Sequence, residues 1–172
     1  MTDGALRGEA EDSSSFSARL PFAGAYAAEP DATGFVAACE PPATWGVLLV
    51  RKGGFAIAHL EGRVMVEHKI GQRHVQGRTK AGGQSQQRFA RRRGNQARQA
   101  YEAAADHAAR ILRPGMLVAG GDRPAVDEVL ADQRLRGLLV VEPWLDVPDP
   151  RRVVLDQAII DAQSIAVAVT NV

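Results

Sequence analysis

Only one cysteine, Cys39, occurs in the 172 residues. That excludes an internal disulfide and any cysteine-rich zinc site, and it fits a reducing compartment. No run of 18 apolar residues is present, so nothing is expected to span a membrane. The start lacks the basic flank of a signal peptide: Met1-Thr2-Asp3 is soon followed by Glu9, Glu11 and Asp12. Net charge is slight, at +1, although 24% of residues are charged. The 45% apolar content excludes disorder of the whole chain, and the length suffices for one cored domain, or one with an extension. A soluble, cytoplasmic protein is the expectation.

The most informative absence is local. Residues 1–45 hold seven acids against two bases, and residues 114–172 hold nine against five. From Lys69 to Arg98 there is no acid, but there are nine bases: Lys69, Arg73, Arg78, Lys80, Arg88, Arg91, Arg92, Arg93 and Arg98. Solvated helix faces normally mix signs. A stretch of one sign builds a local field, and phosphate is its usual target.

Residues 1–17 are rich in Ser, Glu, Asp and Gly with little periodicity, and read as a flexible leader. Residues 18–44 are an unassigned extension broken by prolines, and a regular domain is expected over 45–172. Its strands are predicted at Gly46–Arg51, Phe55–Leu60 and Val64–Ile70, with turns at Lys52-Gly53-Gly54 and Glu61-Gly62. Gly71–Gly83 holds four glycines in thirteen residues and no apolar period, so it reads as a loop. A long helix is expected from about Ser85, as N-cap, to Leu112, with Phe89, Ala97, Ala100, Tyr101, Ala104, Ala108 and Ile111 on its apolar stripe. A strand (Met116–Gly120), a helix (Pro124–Asp132), a strand (Leu138–Glu142) and a helix (Pro150–Gln163) follow. This order predicts an α/β fold: an RNase H-like five-stranded mixed sheet flanked by helices, with the loop between the third strand and the long helix.

At the loop-to-helix junction, Gly82-Gly83-Gln84-Ser85 is followed by Arg88-Phe89-Ala90-Arg91. Entered from a basic loop and continued as a basic helix, this segment resembles the catalytic domain of the eukaryotic and archaeal class-I translation termination factors. Those domains are RNase H-like and place this loop after three antiparallel strands. The likeness covers residues 45–165 in element order and is specific over 78–93. The chain is too short for separate codon-reading and partner-binding domains, so it looks more like the ribosome-rescue branch, the Vms-like release factors. The resemblance implies hydrolysis of peptidyl-tRNA on the large ribosomal subunit, with Gly82, Gly83 and Gln84 as the catalytic tip. Contacts to tRNA or ribosomal RNA would come from Arg73, Arg78, Lys80, Ser85, Arg88, Arg91, Arg92 and Arg93. It implies no cofactor, no metal, no membrane and no DNA partner.

The chemistry of those residue types agrees. Two glycines let backbone approach a reacting ester closely. N–H groups at a helix start can stabilise an oxyanion. Gln84 is neutral and cannot act as an ordinary base, but its amide can orient a water or the terminal ribose. Ser85 reads as a helix cap rather than a nucleophile, because no base and orienting group accompany it. A two-metal nuclease needs clustered carboxylates, and Gly46–Arg51 has none. His59 and His68 read as packing or surface residues, His74 as the one histidine worth testing, and Glu67 as a partner for local arginines. Two rivals stay open: cleavage of the tRNA near its 3′ end by the same loop, and a non-catalytic ribosome- or RNA-binding module.

Overall fold

The computed structural model describes residues 4–72 and 84–171, with backbone alone for 84–97. The first long strand, β3 (Thr44–Arg51; β1 and β2 precede it), contains the unbroken apolar run Val47-Leu48-Leu49-Val50, whose members are all at most 1% exposed. A strand with no polar alternation must be covered on both faces. It is: Leu48 and Val50 point into one core, Val47 and Leu49 into another. β3 therefore lies in the middle of a five-stranded sheet. Its neighbour β4 (Gly54–Glu61) pairs antiparallel with it, and β5 (Val64–Gln72) pairs antiparallel with β4. The tight return to β4 requires glycine at position 54, where φ is +153° and a Cβ would overlap the carbonyl oxygen of Gly71.

After β5 the chain reaches the long helix α2 (Gln84–Ile111; the short α1 precedes it) and then β6 (Gly115–Gly121), parallel to β3. Helix α3 (Arg123–Leu130), a 3-10 turn (Gln133–Leu135) and β7 (Leu138–Leu145), parallel to β6, complete the order β5-β4-β3-β6-β7. Helices α2 and α3 cover the face of Leu48, Ile57 and Leu117. Helix α4 (Arg152–Ala162) covers the other, where Leu155, Ala158 and Ala162 meet Trp45, Leu49 and Leu60. This is the expected RNase H-like arrangement, and each predicted element is present within a few residues of its expected ends.

The differences lie at the two ends of the chain. Residues 1–17, expected as a flexible leader, carry β1 (Ala5–Glu9) and the start of β2 (Ser15–Arg19). The extension 18–44 holds the short helix α1 (Ala32–Ala37), capped by the Asp31 carboxylate, which accepts a hydrogen bond from the Gly34 N–H at 2.6 Å. An unexpected β8 (Ala166–Thr170) follows α4 and pairs antiparallel with β2 in a separate three-stranded sheet, β1-β2-β8. The partner that orders β2 on one side thus comes from the far end of the sequence, beyond the reach of any local pattern. Ala18, Tyr26 and Phe35 form a small core beneath this sheet.

Candidate functional site

Because β4 alone runs against the others, the C-terminal ends of β3, β5, β6 and β7 gather at one edge of the large sheet. The segment carrying the Gly82-Gly83-Gln84 triplet leaves from this edge, after Gln72, and α2 starts back from it at Gln84. The 28-residue helix is about 42 Å long at the rise of an α-helix. Its basic half therefore belongs to this edge, and its C-terminal half is the anchor.

Small side chains make that anchor. Ala104 and Ala108 are fully buried and Ala105 nearly so, which lets the helix axis approach Leu48, Phe55 and Ile57 closely, while Ile111 and Leu112 fill the far end. Polar contacts fix its rotation. Arg110 pairs with Glu67 of β5 at 2.9 Å, and Asp106 accepts from Arg134, whose guanidinium is also held by Asp132. These hydrogen bonds from Arg134 hold the Asp132 carboxyl down at about 2. His107 lies against the Phe55 ring at 5.7 Å; burial, with the Lys69 and Arg110 charges adding, lowers its pKa.

Of the expected site residues, Gly82, Gly83, Arg73, Arg78 and Lys80 lie outside the described residues, as does His74. Gln84 is the first residue of α2. Its N–H is one of the four at a helix start that have no partner within the helix. Ser85 is the second helical residue, which corrects its expected place as N-cap: the helix begins at Gln84 and takes Ser85 into its first turn. The backbone of Arg88, Arg91, Arg92 and Arg93 is helical and continuous through Gly94, and the side chains of these arginines and of Phe89 are outside the described residues. Arg91, Arg92 and Arg93 are consecutive and so fan over about 200° of the helix surface. The remaining histidines stand apart. His68 faces Arg152 at 3.0 Å, and His59 is buried with no partner for Nδ1 among the described residues. Glu67 pairs with an arginine, as its sequence context suggested.

Three features of this edge carry no local sequence signal. Arg51 closes the end of β3: one guanidinium nitrogen donates to the Val147 carbonyl at 2.6 Å and the other pairs with Asp122 at 3.4 Å. Tyr101, on α2, has its phenol pKa raised by burial, with the Asp122 and Glu128 carboxylates adding. Arg123, at the start of α3, lies over the Trp144 ring of β7 with Cζ 4.0 Å from the centroid. Among the described residues no helix is long and apolar enough to cross a membrane.

A five-stranded sheet of this order, with a triplet-bearing basic segment between its third strand and an arginine-rich helix, defines a release-factor-like protein. The family model for the actinobacterial and chloroflexal VLRF1 release factors matches residues 43–168, and the chain belongs to this family. The match runs from the residue before β3 into β8 and leaves β1, β2 and α1 outside. No curated protein matches the chain. Membership in a release-factor family gives the protein a role in translation.

Proposed function

We propose that the protein is a cytoplasmic ribosome-rescue peptidyl-tRNA hydrolase, with residues 45–172 as its catalytic domain. It would free nascent chains from stalled large ribosomal subunits without reading a stop codon. The observation that carries this reading is the start of α2 at Gln84, directly after two glycines, in a chain of a release-factor family. Water attacks the ester carbonyl carbon, the carbonyl oxygen takes up negative charge, and the tRNA 3′ oxygen leaves with a proton. Free N–H groups of the first helical turn stabilise that oxyanion. The Gln84 amide orients the water or the terminal ribose. It is neutral, so hydroxyls of the substrate or of ribosomal RNA carry the proton. Gly82 and Gly83 keep the tip narrow enough to enter an RNA-walled centre. Arg73, Arg78, Lys80, Ser85, Arg88, Arg91, Arg92 and Arg93 hold RNA phosphates, fixing position rather than reading sequence.

The test adds the protein, or its Gln84→Ala variant, to stalled large subunits carrying a labelled nascent chain on tRNA. Free peptide with an intact tRNA 3′ end, lost in the variant, is the expected result. Peptide bearing a tRNA fragment would move the reaction to the phosphodiester. Binding without release by the unmodified protein would leave a ribosome-binding module.

A further inference from the structure

The Arg123–Trp144 pair lies outside the triplet and the arginine run, yet on the same edge of the sheet. Trp144 packs its inner side against the core under α2 and α3. The exposed Arg123 guanidinium covers it from outside and makes no other ion pair or hydrogen bond among the described residues. A planar cation held over an indole is ordered before any ligand arrives, and its outer face remains open to a second π-system. The neighbouring carboxylates are already engaged: Asp122 with Arg51, and Glu142 with the backbone N–H of Trp144. Asp146 and Asp149 follow on the next loop, and Lys52 projects from the β3–β4 turn. Surroundings of such mixed sign hold a phosphate weakly, so what the site offers is the flat face of the guanidinium rather than its charge. Tyr101 and Trp144 pack against the same core cluster, and the exposed Arg98 stands one turn before Tyr101, so this platform lies at the foot of the basic half of α2.

We propose that Arg123, stacked on Trp144, is a second RNA contact that receives an unpaired base of single-stranded RNA on the outer face of its guanidinium. The proposal rests on the RNA-directed function above but not on hydrolysis, so its failure would leave peptide release by Gln84 untouched.

Fluorescence isolates the contact. The chain has two tryptophans, and Trp45 is 2% exposed with its indole N–H given to the Gly62 carbonyl, so Trp144, directly beneath Arg123, is the indole that senses a ligand there. Titrating single-stranded hexaadenylate RNA should quench the indole emission, and Trp144→Phe should abolish the response. Arg123→Ala leaves the reporter in place and should weaken the quenching titration about tenfold. Arg123→Lys keeps the charge but not the plane, and should weaken it nearly as much. Quenching that survives Trp144→Phe would overturn the proposal. So would Arg123→Lys behaving like the unmodified protein, or an equal response to duplex RNA, whose bases are not free to stack.

Discussion

Arg110 Nη1 lies 2.9 Å from Glu67 Oε1, so the last turn of α2 is tied to the middle of β5. These two elements enter and leave the segment that carries the Gly82-Gly83-Gln84 triplet, and the ion pair braces one against the other on the side away from it. Both side chains are partly open to water. A double-mutant cycle with Glu67→Gln and Arg110→Met should therefore give a coupling energy below about 1 kcal/mol in urea unfolding. A coupling of several kcal/mol would mean the pair is far drier than the structure has it.

Packing of the anchor should matter far more. Ala108 is fully buried where α2 meets the sheet, in the cluster of Leu48, Phe55 and Ile57. Ala108→Leu should cost about 1–3 kcal/mol by chemical denaturation. If the variant unfolds at the same urea concentration as the parent, the close approach of α2 is not real.

The arginine run predicts a salt signature. Replacing Arg91, Arg92 and Arg93 with alanine should weaken binding to large ribosomal subunits and reduce the slope of log affinity against log salt by about two. An unchanged slope would remove this helix from the RNA contact. The melting temperature should stay the same, which separates a lost RNA contact from a lost fold.

Acid should loosen the α2–Arg134–Asp132 link. The Asp132 carboxyl is held at about 2, below its ordinary value of 3.8. A carboxylate with a depressed folded pKa stabilises the fold above its unfolded pKa, and that contribution is lost as pH falls through the folded value. The difference in urea midpoint between the parent and Asp132→Asn should thus be constant above about pH 5 and shrink between about pH 4 and 2. A gap that persists at pH 2 would refute the assignment.

The sheet was readable because its strands obey local rules: the apolar run in β3, the alternation of Phe55 and Ile57 with Ala56 and Ala58, and glycines at the turns. β1 and β2 were not, since Ala5-Leu6-Arg7-Gly8-Glu9 has no clear alternation. A usable hint was the turn between them, where the Asp12 carboxylate accepts from the Ser14 N–H and Ser13 takes φ of +64°. β8 does alternate, with Val167 and Val169 on one face, but both are exposed, and its pairing partner is about 150 residues away. The candidate site divides in the same way. The arginines announce themselves by composition, whereas Gln84 stands out only through the resemblance of its segment to the termination factors. The stacking of Arg123 on Trp144 joins the start of one helix to the end of the next strand, and only the parallel crossover brings them together.

β2 is the only strand that β8 pairs with among the described residues. Trimming the chain to the family-matched residues 43–168 would therefore strip Ala166, Val167 and Ala168 of their backbone partners and leave an uncharged, β-prone tail with nothing beside it. The amino-terminal hairpin, outside the family match, thus supplies the whole pairing edge of a strand that the match includes.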